Sequence, residues 1–144
     1  MKSADNEVVK LIADVTVFHR DKVLLLKYSD TNKYDHQDGW FLPDDLVPFG
    51  MHPEDKAAEI MSEQLGIKGV APKIDHIESF TGNDGSWHLV FHFRYISAKI
   101  PELKPSQDIK TVKWFSLKEL PPKKEVAHHG WALYTILSMT VKEK

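Results

Sequence analysis

The segment from Pro53 to Gly66 carries the signals for the start, the buried face and the end of one α-helix. Pro53 suits the first helical position, because its missing N–H needs no partner there and its fixed φ is already helical. Glu54 and Asp55 place negative charge where the helix dipole favours it, and Gly66 suits the left-handed residue that ends a helix. At about 100° per residue, one narrow apolar stripe is formed by Ala57, Ala58, Met61 and Leu65. The sequence therefore predicts a helix over residues 53–65 that buries this stripe.

The stretch around this helix resembles the Nudix box, the signature of the Nudix hydrolase superfamily. The resemblance rests on W-x-L-P, a loop, G-x-x-P-E and A-A-x-x-M-x-E-Q-L-G-I, a frame that fits without a gap from Trp40 to Ile67. The run W-F-S-L-K-E-L-P at residues 114–121 is similar to a segment that follows the last strands in that family. The resemblance covers the chain from about Ala13 to Leu137. It implies the Nudix fold, an α/β/α sandwich with a mixed β-sheet between the box helix and a C-terminal helix.

Several residues that carry the chemistry of the family's box are replaced in this sequence. The family has two glycines in the loop, a glutamate before the helix, and an arginine and three glutamates on the helix. The positions that depart from this pattern are Asp44 and Asp45 at the glycines, Met51, Glu59 at the arginine, Ile60 and Gln64. Of the family's acidic residues in the box, only Glu63 is retained. The resemblance therefore implies the fold more directly than the activity.

The family's chemistry explains why these acids matter. The family cleaves a diphosphate bridge with Mg²⁺, an ion that prefers oxygen ligands in octahedral geometry. Positions 60, 63 and 64 lie about one helical turn apart, so three carboxylates there would converge. In this sequence the patch carries an isoleucine, one carboxylate and one amide, with Lys56 one turn upstream of Ile60. We therefore expect Mg²⁺ or Mn²⁺ to bind weakly, and we expect no other cofactor.

Two functions are compatible with this altered box. The first is a Nudix domain that binds a nucleotide-type or other phosphorylated ligand, with weak or absent Mg-dependent hydrolysis. The second is an active pyrophosphohydrolase of nucleoside diphosphate-linked substrates that uses relocated carboxylates. Its catalytic candidates are Glu59 and Glu63, and its metal-ligand candidates are Glu63, Asp44 and Asp45. Glu59 and Glu63 also fit a solvated helix face opposite the buried stripe. The changes at positions 51, 59, 60 and 64 occur together. Because four such changes are seldom compensated, the sequence favours the first function.

Residues Trp87–Ile96, WHLVFHFRYI, form the clearest alternating pattern in the chain and predict a β-strand. The face with the aliphatic and aromatic residues Leu89, Phe91, Phe93 and Tyr95 is predicted to be core. The opposite face carries His88, His92 and Arg94, which together with Trp40 form the predicted ligand-binding set. Arg94 could contact phosphate through two N–H groups, and protonated histidine would strengthen anion binding at low pH. The alternative is a solvated sheet face with incidental histidines.

Two further segments are predicted to complete the fold. The polar loop 29–39, with Tyr34 and His36, is either a cover over the ligand pocket or a solvated connector. Residues 124–142 are predicted to form a closing helix, with His128 and His129 in its first turns. Neighbours in a helix point about 100° apart, so these two histidines should not chelate one metal ion. The predicted apolar stripe of this helix is Val126, Gly130, Leu133, Leu137 and Val141.

Composition limits the remaining classes. The 144 residues, 42% of them hydrophobic, suffice for one domain with a core, which we place at residues 1–144. A net charge of −2 gives no electrostatic basis for gripping nucleic acid. The absence of cysteine excludes disulfides and thiolate metal sites, and no apolar run is long enough to cross a membrane. We therefore expect a cytoplasmic protein with a small phosphorylated ligand and with neither nucleic acid nor membrane as partner. The sequence leaves a homodimer open.

Overall fold

The computed structural model describes residues 8–30 and 38–142, and within them a six-stranded mixed sheet lies between two helices. The elements in chain order are β1 (Val9–His19), β2 (Lys22–Tyr28), β3 (Asp44–Leu46), α1 (Pro53–Leu65), β4 (Lys73–Thr81), β5 (Trp87–Ile96), β6 (Ile109–Ser116), a 3₁₀ turn (Lys123–Glu125) and α2 (Ala127–Lys142). The strand order is β4-β5-β1-β2-β6, with β3 paired to β1. The predicted α/β/α sandwich is confirmed.

The sheet opens between β1 and β2. These strands are joined by a tight turn in which Arg20 has a φ of 53°, and they pair only next to that turn. Farther along, the segment 41–47 lies between them: Leu26 pairs with Phe41, and the N–H of Val15 donates to the carbonyl of Pro43 at 3.0 Å. Trp40 and Phe41 form only isolated bridges, to Val126 and Leu26, and the regular strand β3 begins after Pro43. This inserted segment separates the two strands beneath α2.

Helix α1 has the predicted bounds. The side chain of His52 accepts a hydrogen bond from the Glu54 N–H at its start. Gly66 ends the helix with a φ of 75° and donates its N–H to Ser62. A Cβ at Gly66 would also come within 2.7 Å of the Lys104 side chain, so both the conformation and the close approach require glycine. The predicted stripe is confirmed at Ala57, Met61 and Leu65, which are fully buried, whereas Ala58 is half-buried.

Strand β2 is buried on both faces, as its continuous apolar run predicts. Leu24 and Leu26 belong to the core between the sheet and α1. Val23 and Leu25 belong to the core between the sheet and α2. The chain therefore builds two apolar layers around one central strand.

Strand β5 buries part of both faces as well. Phe93 lies in the core under α1, as predicted for that face. On the opposite face, Val90 and His92 are also fully buried. The alternative of a solvated sheet face is therefore wrong, because the start of α2 and side chains from β4 cover this part of the strand.

The start of α2 differs from the prediction. His128, His129 and Gly130 have left-handed φ values of 53°, 59° and 89°, so regular helix begins only after Gly130. The buried face shifts by one residue to Ala132, Thr135, Ile136 and Met139, whereas Leu137 of the predicted stripe is 60% exposed. The side chain of Val141, the last residue of the predicted stripe, is not among those that the structure describes. No helix in the described ranges is long and apolar enough to span a membrane.

The loop 29–39 is described only at its ends. Residues 31–37, which include Tyr34 and His36, lie outside the described residues. The expectation that this loop covers a pocket therefore stays a prediction.

A charge placed in the α1 core tests the packing of the helix. Met61→Asp should lower the free energy of unfolding by about 3 kcal/mol or more, because it buries an unpaired carboxylate in an apolar layer. The neighbouring Ser62→Asp, at a half-buried position on the other side of α1, should cost less than about 1 kcal/mol. Urea denaturation of both variants measures the difference. A cost below about 1 kcal/mol for Met61→Asp would contradict this packing.

Candidate functional site

A cavity of about 190 Å³ lies between the sheet and the start of α2. The backbone of Trp40 forms two hydrogen bonds with the segment at the start of α2. Its N–H donates to the carbonyl of Glu125 at 2.9 Å, and its carbonyl accepts from the N–H of Ala127 at 3.0 Å. These two bonds fix the start of α2 above the opened sheet. The aromatic and aliphatic lining includes Trp40, Phe41, Leu42, Val90 and Trp131, and the carboxylates in the lining are Asp14, Asp44 and Asp45.

An open groove of about 750 Å³ adjoins this cavity. It lies between the β4–β5 hairpin and the start of α2. Five residues line both the groove and the cavity: Lys10, Ile12, His88, His128 and Trp131. The basic and imidazole side chains in its lining are Lys10, Lys123, His88, His128 and His129, and the acids are Glu78 and Asp84. Positively charged and protonatable groups therefore outnumber carboxylates along the groove.

Aromatic rings connect the cavity to the groove. His128 meets Phe41 and Trp131 edge to face, each at 5.7 Å between ring centroids. Trp131 meets Phe80 at 5.3 Å, and Phe80 stacks on His88 at 4.7 Å. We call these five residues, Phe41, His128, Trp131, Phe80 and His88, the aromatic strip. A strip of this kind offers faces and edges to a flat ring.

The left-handed backbone at residues 128–130 positions part of the strip. A non-glycine residue in this conformation costs about 1 kcal/mol or more, and such residues concentrate at functional sites. His128 and His129 both adopt it, and His128 thereby lies between Phe41 and Trp131. The helical placement predicted for these histidines is wrong. The His-His-Gly run was the available signal, because histidine is enriched in left-handed conformations and glycine adopts them readily.

His92 is bound on both sides by carboxylates. Its Nδ1 lies 2.8 Å from Asp14 Oδ1 and its Nε2 lies 2.8 Å from Glu78 Oε1. With both carboxylates ionised, both ring nitrogens donate, as they do in the imidazolium form. Burial raises the pKa of Asp14, and the hydrogen bond to His92 opposes this rise. Burial opposes the charged ring, but the hydrogen bonds to Asp14 and Glu78 raise the pKa of His92 above its usual value. Trp131 Nε1 donates to the same Glu78 oxygen at 3.3 Å, so His92 supports the groove wall from beneath.

The predicted ligand-binding set is divided by the structure. Trp40 and His88 line the cavity. His92 is fully buried with both nitrogens engaged, so it is not placed to contact a ligand. Arg94 lies six residues beyond His88, about 20 Å along the strand. Its Nε is 3.9 Å from Asp75, and it is outside the described lining of cavity and groove.

Two of the four predicted box acids, Asp45 and Glu59, contact the ammonium group of Lys56. Lys56 Nζ lies 3.0 Å from Asp45 Oδ2 and 2.8 Å from Glu59 Oε1. Asp44 and Asp45 line the cavity, whereas Glu59 lies outside the described lining. Glu63 is exposed on α1 and is also outside that lining. The four predicted catalytic and metal-ligand residues therefore do not converge on one point.

Ile60 and Gln64 stand at helix positions where the family's box has glutamate, and both side chains have structural roles. Ile60 is buried in the core under α1. Gln64 Nε2 donates to the carbonyl of Asp44 at 2.8 Å, and Gln64 Oε1 accepts from Tyr28 Oη at 2.9 Å. A glutamate at position 64 would face that carbonyl with a second acceptor instead of a donor. The side chains at these positions therefore tie α1 to the core and to β3.

The residues present do not fit the divalent metal that the family's box holds. Within residues 8–30 and 38–142, no three histidine or carboxylate side chains are placed to share a metal ion. The ammonium of Lys56 lies between Asp45 and Glu59, two of the acids that a relocated site would need. Mg²⁺ prefers several oxygen ligands in octahedral geometry, and the described box offers no such set.

Most residues that line the groove were not predicted from the sequence. Lys10, Phe80 and Lys123 come from three distant segments, and no spacing in the chain links them. The β4–β5 register sets Phe80 opposite His88, and the β1–β5 register sets Lys10 beside His88. Only this pairing brings them to one surface.

The raised pKa of His92 predicts a pH-dependent stability. An unfolded histidine titrates near about 6.5, so the stabilisation from the imidazolium is complete below that pH. It is lost as the pH rises through the higher folded pKa. His92→Gln should remove this loss, giving a free energy of unfolding that changes less between about pH 6 and pH 9. His129→Gln, at an exposed position of the groove, should retain the wild-type slope. Identical slopes in wild type and His92→Gln would contradict the assignment.

Solved structures share this architecture. A MutT NUDIX hydrolase from Burkholderia pseudomallei has 17% identity and a TM-score of 0.71, over 88% of this chain and 95% of that one. A NUDIX hydrolase from Nitrosomonas europaea has 17% identity and a TM-score of 0.72, over 94% and 90%. A bifunctional NMN adenylyltransferase/ADP ribose pyrophosphatase from Francisella tularensis, complexed with AMP and a Mn ion, has 18% identity and a TM-score of 0.68, over 95% and 42%. At these identities the likeness shows the fold.

A comparison with functionally curated proteins gives no significant match. The family profile of the NUDIX domain, in contrast, matches residues 10–134, which is most of the chain. The match includes the box, the opened sheet and the start of α2. By this match and by its fold, the chain belongs to the Nudix superfamily.

Proposed function

We propose that this Nudix domain binds a phosphorylated ligand with an aromatic ring, such as a nucleotide, and that its metal-dependent hydrolysis is weak or absent. The observation that carries the proposal is the aromatic strip, which leads from a partly open cavity to a groove lined by lysine and histidine. A flat ring and an anionic group on one ligand match these two environments. The bifunctional NMN adenylyltransferase/ADP ribose pyrophosphatase from Francisella tularensis, whose structure is a complex with AMP and a Mn ion, shares this fold over 42% of its chain.

The cavity suits the ring of such a ligand. Its volume of about 190 Å³ is below the roughly 300–1,000 Å³ of pockets that enclose a drug-sized molecule. One ring system therefore fits inside, and the rest of the ligand extends into the groove. Trp40 and Trp131 offer apolar surface to the ring, and the carboxylates of Asp14 and Asp44 can accept hydrogen bonds from ring amino groups.

The groove suits the phosphate. Lys123 and His129 are exposed there, and Lys10 lies 3.3 Å from Asp84 in a solvent-exposed pair. Exposed pairs contribute little to stability, so Lys10 can exchange this partner for a phosphate at small cost. Three histidines also line the groove, and a protonated imidazole attracts an anion. Binding should therefore tighten as the pH falls.

The weak hydrolysis is argued from the box. Asp45 and Glu59 would have to leave Lys56 before they could hold a metal or act on a water molecule. Glu63 alone offers one oxygen-donating side chain where the family assembles several. No contact among the described residues favours the alternative, an active pyrophosphohydrolase with relocated carboxylates, and that alternative is an outcome of the second test below.

Calorimetric titration tests the binding. AMP and ADP-ribose, each without metal, should bind more tightly at pH 6 than at pH 8. Trp131→Leu should weaken binding about tenfold or more, because a stacked base contributes about 1–3 kcal/mol. Lys123→Met should weaken it about tenfold through the lost charged contact. Arg94→Met, outside the groove, is the matched control and should change affinity by less than about twofold. No binding at millimolar ligand, or an equal loss in the control, would remove this site.

Turnover tests the second half of the proposal. AMP release from ADP-ribose, followed with Mg²⁺ or Mn²⁺, should be slow and should not change in Glu63→Gln. If relocated carboxylates act instead, Glu63→Gln and Asp45→Asn should each lower the rate by about 10²-fold, the scale expected for a positioned acid–base group. Turnover at ordinary enzyme rates, about 1 s⁻¹ or faster, would contradict weak hydrolysis and would favour the alternative.

A further inference from the structure

We infer that the ammonium group of Lys56 acts as a counter-ion that holds β3 to α1, in place of a divalent cation. Lys56 lies in the first turns of α1, Glu59 lies one turn later, and Asp45 lies in β3. The contact with Asp45 joins β3 to α1, and the contact with Glu59 lies within the helix. The inference rests on these contacts and is independent of the ligand proposed above.

The contacts of Lys56 are those of a buried, satisfied charge. Its side chain is only 8% exposed, and its nitrogen lies 3.0 Å from Asp45 and 2.8 Å from Glu59. Burying an ammonium is unfavourable unless it is paired and hydrogen-bonded. Burial would lower the pKa of Lys56, but the hydrogen bonds to Glu59 and Asp45 raise it above its usual value. The group therefore stays charged at neutral pH.

The position of this charge explains the changed box. In the family, as the resemblance implies, a glutamate at position 51 and an arginine at position 59 pair and orient the loop. Here Met51 cannot form that pair, and Glu59 has the opposite charge. Lys56 supplies a cation from within the helix and contacts Asp45 in β3, before the helix. A pair between an acid that precedes the helix and a cation on the helix is therefore kept, at other positions of the box.

The same geometry disfavours a divalent ion. An ammonium within hydrogen-bond distance of both carboxylates repels a second cation at that place. Without its charge, Asp45 and Glu59 would be two close, partly buried carboxylates with no described counter-ion between them. Hard divalent cations bind carboxylate oxygens of this kind. Lys56 therefore both replaces and excludes the metal.

Thermal unfolding of the full chain tests this in NaCl and in MgCl₂ or MnCl₂ at equal ionic strength. Wild type should have the same Tm, within about 1 °C, in both salts. Lys56→Met, which keeps the length of the side chain, should have a lower Tm in NaCl and regain several degrees, about 3–6 °C, in the divalent salt. Lys56→Met combined with Asp45→Asn is the matched control and should not respond to the divalent cation.

Two outcomes would overturn the inference. One is a wild-type Tm that rises selectively in MgCl₂ or MnCl₂ and loses this rise in Asp45→Asn. The other is a Lys56→Met variant with an unchanged Tm and no divalent response. None of these measurements uses a nucleotide, so a failure of the proposed ligand binding would leave the result unaffected.

A second measurement covers the case in which Lys56→Met does not fold. Lys56→Gln, which keeps a hydrogen-bond donor without the charge, is then examined in the same salts with the same expected gain. In parallel, Mn²⁺ is added to the wild-type protein and the broadening of backbone amide NMR signals is followed. We expect no selective broadening at Asp45 and Glu59, and selective broadening there would overturn the inference.

Discussion

The parallel pairing of β1 with β5 is the interaction on which the rest of the structure depends. Its register sets three pairs side by side on the α2 face: Lys10 with His88, Ile12 with Val90, and Asp14 with His92. Because side chains alternate along a strand, all six point to the same side of the sheet, and all but His92 line the cavity. A shift by one residue would turn them toward the core under α1. The cavity would then lose both its polar groups and its floor.

Two clusters in this fold follow the same electrostatic rule, in which one cation lies between two carboxylates. His92 lies between Asp14 and Glu78, and Lys56 lies between Asp45 and Glu59. His92 and Lys56 are both buried, and burying a charged group is costly unless it is paired and hydrogen-bonded. In the family's box, as the resemblance implies, a divalent ion provides part of the positive charge. In this chain Lys56 contacts two of the acids around the box, and we propose that its charge takes the place of that ion.

The elements that could be predicted are those whose signals are local. The proline, the acids and the glycine around α1 act within one or two turns, so its bounds follow from the sequence. The prediction failed at His128 and His129, where apolar spacing indicated helix but the backbone is left-handed. Apolar spacing does not report the tertiary contacts that stabilise such a conformation. Here the Trp40 backbone bonds to Ala127 and the His128 ring contacts Phe41.

The sequence by itself determined the family frame, the helix α1, the buried strand β2 and the loss of most box acids. These depend on neighbours along the chain, where propensity, capping and periodicity act directly. Only the tertiary structure decided the site. In it, His92 lies buried between Asp14 and Glu78, and Lys56 pairs with Asp45 and Glu59. Arg94 lies outside the lining of the cavity and the groove. Each of these outcomes depends on strand register or on contacts between elements far apart in sequence, and the energy of a buried charge depends on which groups surround it.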